Sequence, residues 1–340
     1  MARNYQFKWA FSPTKQSAYG TPLADGVLTT ASYIQGPDLA QRTPSLVRDN
    51  GQFGRGDEWA RTQEIDVWDL ALARKMDLNP LLAGLFAGFG LGAVTTTTPL
   101  AGVYQHVFKP IDSLSTLQLP AMTVVEEAIA NTGVKKKIQD LVVNDFEISG
   151  EGRNRLQIAA NLKGSGQWAN STLAMPAPAA GGFLRMKDGL FELGPFGGAF
   201  TNMSSLLERF SVKWNNNLAD EDGYILGSGF YRGRHEIGLS REPSFDFDLL
   251  QVTDGQELDR LDANTNLKAR LTFTGGVISG AHNFTLIIDM PDLHYKTVEK
   301  FYTGEGKLAY KISCNLNYDD TGGVLCPLFI TVKNDVAVYL

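Results

Sequence analysis

Apolar and polar residues alternate along most of the chain beyond its N-terminal segment. A period of two is typical of β-strands that bury one face. The clearest case is a hairpin predicted from residues 142–149 and 155–163, joined by the five residues 150–154. Placing Ile148 opposite Leu156 collects the apolar side chains on one face and the polar ones on the other. We therefore expect a mainly β fold.

A second hairpin is predicted near the C-terminus. Residues 308–318 alternate, a return strand spans 324–332, and the loop between them, 319–323, again has five residues. In this arrangement Ile312 lies opposite Ile330. The two predicted hairpins therefore share their loop length and the facing of their apolar residues.

The spacing of the two hairpins raises the hypothesis of an internal duplication. Ile148 and Tyr318, the last inward residues before each loop, are 170 positions apart (318 minus 148), half of the 340-residue chain. Alternating strands also resemble one another by chance, so both interpretations stay open. The predicted segments are an extended N-terminal arm (1–60), a first β domain (61–174), a linker or loop that begins rich in Ala, Pro and Gly (175–205), and a second β domain (206–340).

The most apolar run, residues 80–94, predicts a buried helix. It is shorter than the roughly 20 residues that a membrane-spanning helix needs. Asn79 is a good N-cap before a proline at the first helical position. Gly88, Gly90 and Gly92 are expected to unwind the far end.

Residues 12–58 are polar and rich in Gly, Pro, Ser and Thr, without sustained periodicity. We expect an extended arm or long loop. A segment of this length cannot satisfy its own backbone groups, so an ordered arm would lie against another surface, such as a neighbouring subunit. The alternative is a flexible tail.

Charge and composition narrow the function classes. Lys and Arg total 31 against 37 Asp and Glu, a formal net charge of -6, which disfavours a protein that grips nucleic acid. With 43% hydrophobic residues, the chain can bury one large domain or two of ordinary size. Its first residues lack the apolar core of a secretory signal, which favours the cytoplasm as its compartment.

The histidines do not form a metal-binding pattern. None of His106, His235, His282 and His294 has a second His or Cys three to five residues away, as a zinc site would need. His106 is better explained as a half-buried strand residue. His235 and the adjacent Glu236 would point to opposite faces of a strand. We therefore expect no metal and no cofactor.

Three other clusters have a simpler explanation than a site. Residues 88–92 (GFGLG) lack the spacing of a phosphate-binding loop. Ser279, His282 and Asp289 are the residue types of a hydrolase, but no GxSxG motif surrounds the serine. The acidic residues 220–223 lack the spacing of an EF-hand and indicate a solvated turn. We expect no catalytic residue, although a pair of carboxylates that meet only in space is invisible in a sequence.

Cys314 and Cys326 both fall on the inward face of the second predicted hairpin. Two cysteines in a chain of this length are unlike the dense disulfides of small secreted domains. Buried reduced cysteines pack as small hydrophobic residues, and we favour this interpretation over a disulfide across the hairpin.

Several short segments follow one another in a characteristic order. They are residues 19–21 (YGT) in the arm, 90–92 (GLG) at the helix end, Tyr104 and Phe108 in a strand, 119–120 (LP), 123–125 (TVV), 146–150 (FEISG), 156–164 (LQIAANLKG) and 210–217 (FSVKWNNN). Their order resembles the tail tube proteins of long-tailed bacteriophages. The resemblance is strongest from about residue 62 to residue 168 and includes no catalytic motif.

This resemblance implies a β-sandwich or partial barrel with a short flanking helix, possibly duplicated in tandem. It also implies a structural subunit whose hairpins join those of other copies into stacked rings around a channel for DNA, without specific DNA binding. Rings in this family usually have six subunits, so a duplicated chain would need three for pseudo-sixfold symmetry, with a hexamer as the alternative. The implied further partners are the tape measure, terminator and baseplate proteins of a virion tail, assembled in the host cytoplasm.

Three other classes stay open at this point. A tail hub or terminator protein would share the fold and would cap a tube. A tail-associated glycan hydrolase would carry paired carboxylates. An outer-membrane barrel is disfavoured because no export signal precedes the first strand.

Overall fold

The structure, a computed structural model, describes residues 7–34, 43–48, 63–111, 118–129, 131–177, 182–219, 235–238, 240–250, 256–302, 308–318 and 326–340. Its strands are β1 (Phe7–Phe11), β2 (Thr30–Ile34), β3 (Thr43–Arg48), β4 (Gln63–Asp77), β5 (Gly92–Leu100), β6 (Val103–Pro110), β7 (Met122–Ala128), β8 (Asn131–Glu151), β9 (Gln157–Gly164), β10 (Trp168–Asn170), β11 (Gly189–Pro195), β12 (Thr201–Asn202), β13 (Leu207–Asn215), β14 (Ser244–Leu250), β15 (Leu267–Ser279), β16 (His282–Tyr302), β17 (Leu308–Leu316) and β18 (Phe329–Asn334). Its helices are α1 (Pro80–Leu91) and α2 (Gln256–Asp262).

Antiparallel pairing joins these strands into one large sheet, in which a central part, here called the central sheet, continues into two wings. The central sheet has the order β4–β9–β8–β13–β14–β17–β16. The N-terminal wing has the order β2–β1–β7–β8–β10. The C-terminal wing has the order β12–β11–β15–β16–β18–β6–β5, and β3 pairs with the start of β4. The predicted mainly β class is confirmed, and the long strands β8 and β16 each run from a wing into the central sheet.

One face of the central sheet forms much of the hydrophobic core. Phe146, Ile148, Val212, Phe247 and Ile312 come from four neighbouring strands and are each at most 1% exposed. Their period of two leaves the alternate residues on the opposite face. Helix α1 packs beneath the sheet against β6, β8 and β18. This helix is the short flanking element that the resemblance implied.

Helix α1 begins as predicted and ends later than predicted. The Asn79 Oδ1 atom accepts a hydrogen bond of 2.8 Å from the backbone N–H of Leu82. The helix continues through Gly88 and Gly90 to Leu91, so the prediction that these two glycines unwind it was wrong. A Cβ on Gly90 would lie 2.6 Å from the Phe146 ring. That glycine therefore lets the helix approach the sheet, while Gly92, at φ +90°, ends the helix.

The first predicted hairpin exists as β8 and β9, but its register differs. Ile148 lies opposite Ile158, not opposite Leu156. The shift of two residues preserves the facing, so Ile148, Ile158 and Leu156 are all buried. Alternation specifies which face a residue occupies, and a shift of two leaves that face unchanged.

The second predicted hairpin was wrong. β17 pairs with β14 and β16, so Ile312 lies opposite Phe247 and Val298. β18 pairs with β16 and β6, so Ile330 lies opposite Ile288 and Phe108. The predicted loop at 319–323 lies outside the described residues. An apolar strand buried in a large sheet can form its backbone hydrogen bonds with any neighbouring strand of suitable register. The strand that follows it in the sequence is therefore not necessarily its partner.

Candidate functional surface

The polar face of the central sheet is concave, and all seven of its strands contribute to it. The concavity has a volume of about 1030 Å³. Its strand residues are Lys75, Gln157, Glu147, Ser149, Ser211, Lys213, Asp246, Lys311, Ser313, Thr297 and Glu299. A polar surface that extends over seven strands is suited to a large cargo more than to one small ligand.

The charges on this face nearly cancel. Its lining includes five basic residues (Lys75, Arg155, Arg209, Lys213, Lys311) and four acidic ones (Glu147, Glu151, Asp246, Glu299). Neighbouring strands pair several of them, since Lys311 Nζ lies 3.8 Å from Glu299 Oε2 and Lys213 Nζ lies 4.0 Å from Glu147 Oε2. Ser211 also donates a hydrogen bond of 2.6 Å to Glu147. The face therefore offers a polyanion few uncompensated positive charges.

A buried ion pair connects the central sheet to the N-terminal wing. Arg74 of β4 contacts Glu126 of β7 through its Nε (3.1 Å to Oε2) and Nη2 (3.0 and 2.9 Å to the two oxygens). Their side chains are 2% and 0% exposed. Trp9 Nε1 donates a further hydrogen bond of 2.5 Å to the same carboxylate. Such a pair is stable only while every partner remains in place.

Asp140 holds part of the N-terminal arm at the point where β8 leaves the wing. Its φ of +59° bends the strand there. Its carboxylate accepts hydrogen bonds from the Gly20 N–H (2.7 Å) and from Ser165 Oγ (2.8 Å), and its own N–H donates to Gln16 Oε1 (3.0 Å). Residues 16–20 of the arm therefore lie against their own chain. Of the arm, predicted to contact a neighbour, residues 1–6, 35–42 and 49–60 lie outside the described residues.

We expect Asp140→Ala to lower the free energy of unfolding by about 2–4 kcal/mol, because it removes hydrogen bonds to a charged acceptor and places alanine at positive φ. Urea unfolding measures this loss, and limited proteolysis should show faster cleavage within residues 12–28. Asp140→Asn is the matched control, since asparagine tolerates positive φ and keeps one acceptor oxygen. Equal stability of the two variants would contradict this role of the carboxylate.

Comparison with known protein families settles the class to which this fold belongs. Residues 14–317, most of the chain, match the family model described as phage tail tube protein. The chain is a member of the phage tail tube protein family. No curated protein matches it at a significant level. No helix in the described part of this tail tube protein is long and apolar enough to cross a membrane.

The hydrolase residue types of the tail tube protein do not meet in space. Ser279 and His282 lie opposite each other at the β15–β16 turn. Asp289 lies seven residues further along β16, roughly 23 Å away at about 3.3 Å per residue. Its carboxylate forms an ion pair with Arg270. The acidic residues 220–223 lie outside the described residues.

His106 is more deeply buried than predicted, at 0% exposure. One ring nitrogen lies 2.9 Å from Thr96 Oγ1 and the other lies 2.8 Å from the Val336 carbonyl oxygen. The ring also makes an edge contact with Tyr339, at 4.7 Å between centroids. Burial lowers the pKa of His106. This histidine therefore joins the C-terminal segment to β6. His235 is buried at 2% exposure, and Glu236 beside it is half-buried.

Neither Cys314 nor Cys326 forms a disulfide, and both are buried, as favoured from the sequence. Burial, followed by the negative charges of Asp246 and Glu257, raises the pKa of the Cys314 thiol well above its ordinary value. A thiol in this environment stays protonated near neutral pH and is a poor nucleophile.

We expect Cys314 to be inert to Ellman's reagent in the native protein at pH 8 and to react once urea unfolds the chain. The reason is that the thiolate is the reactive species and the thiol is buried. A Cys326→Ser variant leaves Cys314 as the sole thiol, so its reaction can be followed alone. Fast reaction of the folded variant would show that the thiol is accessible.

Proposed function

We propose that this protein assembles with copies of itself into stacked rings that form the phage tail tube, and that the concave face of the central sheet lines the channel. The observation that supports the lining is the near balance of positive and negative residues on this face, to which all seven strands contribute side chains. Tight DNA binding depends on Lys and Arg that neutralise phosphates and release counterions. A wall with compensated charges lets DNA pass during ejection without holding it.

We propose a ring of three copies with pseudo-sixfold symmetry, in preference to six copies. With a chain mass of 37.2 kDa, three copies give a ring of about 112 kDa (3 times 37.2). Averaged cross-sections of tubes in electron micrographs should then show three chains per ring. Six complete chains per ring would contradict this stoichiometry.

Negative-stain electron microscopy of the purified protein tests the function itself. Open-ended hollow tubes that lengthen with protein concentration are expected for a tube subunit, because head-to-tail contacts between rings extend without limit. Closed rings that never stack would instead indicate a hub or terminator protein. A monomer that degrades a cell-wall or capsule glycan would overturn the proposal in favour of a hydrolase.

The other proposed partners follow from the place of a tube in a virion. A tube subunit contacts the tape measure protein along its channel and the terminator and baseplate proteins at its two ends. After assembly in the host cytoplasm, the protein would be recovered with purified virion tails.

A further inference from the structure

We propose that the chain is a tandem repeat of one β unit, and that the free edge of β16 in one copy pairs with the β3–β4 hairpin of the next copy. This contact would repeat, between chains, the β8–β13 junction that exists inside the chain. The repeat is argued from the fold alone, whereas the contact between copies rests on the proposed function.

The strand pairings divide into two equivalent sets. Unit 1 comprises β1–β10, and unit 2 comprises β11–β18. Seven pairings of unit 1 (β1–β2, β1–β7, β3–β4, β4–β9, β7–β8, β8–β9, β8–β10) correspond in order to seven of unit 2 (β11–β12, β11–β15, β13–β14, β14–β17, β15–β16, β16–β17, β16–β18). The β5–β6 hairpin is an insertion in unit 1, and β8–β13 and β6–β18 join the units.

The register of the two units agrees to the residue at their longest strands. A β-bulge interrupts the β8–β9 ladder between Val143 and Asp145, and another interrupts the β16–β17 ladder between Tyr295 and Thr297. Val143 lies opposite Leu162, and Tyr295 opposite Cys314. The offset is 152 residues on both strands (295 minus 143 and 314 minus 162). This value replaces the offset of 170 that the predicted hairpins suggested.

The same offset relates other features of the two units. Asp140 and Asp292, 152 residues apart, are buried aspartates where β8 and β16 enter the central sheet, and each is followed by a fully buried leucine. Ser165 donates a hydrogen bond to the Asp140 carboxylate, and the equivalent Asn317 donates its N–H to the Asp292 carbonyl oxygen. Five residues separate Gly150 from Leu156 and, in unit 2, Tyr302 from Leu308. Chance would not place all of these features at the same offset of 152 residues, so we infer that the two units are repeats of each other.

The repeat identifies an edge that lacks its partner. In unit 1, residues 145–151 of β8 pair with residues 209–215 of β13. In unit 2, the equivalent end of β16 pairs with β17 and with no other strand among the described residues. The consequence is visible in burial, since Ile148 is 0% exposed whereas its equivalent, Lys300, is exposed. Tyr302 at the end of this strand is 74% exposed.

The equivalence of the two units also identifies the strand that would pair with this edge of β16. β13 belongs to the hairpin β13–β14, whose equivalent in unit 1 is β3–β4. The β8–β13 contact uses β8 of the first unit and β13 of the unit after it. The corresponding contact for β16 therefore requires the first unit of a second copy. An exposed strand edge is also a ready template for such pairing.

Cysteine cross-linking of assembled tubes tests the contact. Glu299→Cys and Lys300→Cys sample both faces of β16, and each is combined with one cysteine at a position of β3 (Thr43, Pro44, Ser45, Leu46, Val47 or Arg48). Opposed residues of an antiparallel pair have Cα atoms about 4.5–5.5 Å apart, within the range for a disulfide. At least one pair should yield covalent multimers under oxidation, and the parent variants that carry only one of the two introduced cysteines should not. Tubes that form normally but give no multimers with any pair would overturn the contact.

The internal junction supplies the matched control. Ser149 and Ser211 lie directly opposite each other across β8 and β13. Ser149→Cys combined with Ser211→Cys should form an intrachain disulfide without increasing the mass. Absence of tubes from the wild-type protein would count against the proposed function, a different outcome from tubes without cross-links.

Hydrogen exchange on the wild-type protein avoids any effect of the substitutions. Among residues 297–302, the alternate amides that point away from β17 should gain at least tenfold protection when monomers assemble. Amides of residues 145–150, already paired inside the chain, should be protected in both states. Unchanged exchange of 297–302 on assembly would overturn the contact.

Discussion

Replacing Arg74 by methionine is expected to lower the free energy of unfolding by about 3–5 kcal/mol, because it leaves the fully buried Glu126 carboxylate without its counter-charge. Trp9 would still donate its neutral hydrogen bond to that carboxylate. Urea unfolding, followed by tryptophan fluorescence, measures the loss directly.

The double variant Arg74→Met/Glu126→Leu distinguishes two effects on stability. One is the cost of leaving a buried charge without its partner, and the other is the loss of the ion pair itself. Replacing both charges by apolar side chains removes the uncompensated charge, so most of the lost stability should return. A double variant as unstable as the single one would show that packing, rather than charge, explains the loss. A single variant within about 1 kcal/mol of the wild type would show that the carboxylate is neutralised in another way.

Reversing three acidic residues on the concave face is expected to convert a passive channel into one that retains DNA. The substitutions are Glu147→Lys, Asp246→Lys and Glu299→Lys, which change the lining from five basic and four acidic residues to eight basic residues and one acidic residue, Glu151. Variant tubes should bind short duplex DNA at 50 mM salt and lose about 10³–10⁵ in affinity by 200 mM, as expected when 6–10 phosphates are contacted. Phage carrying the variant should eject its genome slowly or incompletely.

The control for this variant changes the net charge equally at another place. Asp188, Asp262 and Asp335 are exposed carboxylates outside the central sheet. Their replacement by lysine should leave tubes that bind little DNA within the channel. Equal DNA retention by the two triple variants would show that net charge, and not the position of the lining, controls binding, and would contradict the assignment of the concave face.

The facing of strand residues could be predicted from the sequence, but their partners could not. Alternation placed Ile148 and Ile312 on buried faces correctly. It could not show that Ile312 lies between Phe247 and Val298, because every apolar strand of this sheet offers a similar face. The duplication hypothesis therefore rested on a hairpin that does not exist, and the equivalence of the units became visible only from pairing and register.

Helix α1 was predicted because its signals are local. The Asn79 cap and the proline after it act within one turn. Gly88 and Gly90 were misinterpreted because the reason for them lies elsewhere in the chain, in the space needed by Phe108 at Gly88 and by Phe146 at Gly90. Helix propensity alone disfavours glycine, and tertiary packing overrides it here.

The buried charges escaped sequence analysis for a similar reason. Glu126 lies in the strand MTVVEEA and points inward. The sequence of this strand does not indicate which residue pairs with it. Arg74 is 52 positions earlier in the chain. A charged residue at an inward strand position is the one signal that could have indicated a buried pair. It identifies one partner at most.

The β5–β6 hairpin makes the two proposed units unequal. It pairs with β18 of unit 2, whereas the described residues place no strand beyond the equivalent β10 of unit 1. A ring of three such chains would present six nearly identical walls to its cargo and only three copies of this hairpin to its surroundings. In such a ring, a protein that binds around the tube would contact three copies of this hairpin and could therefore bind in a defined rotational orientation. DNA in the channel would contact six nearly equivalent walls and would have no preferred orientation.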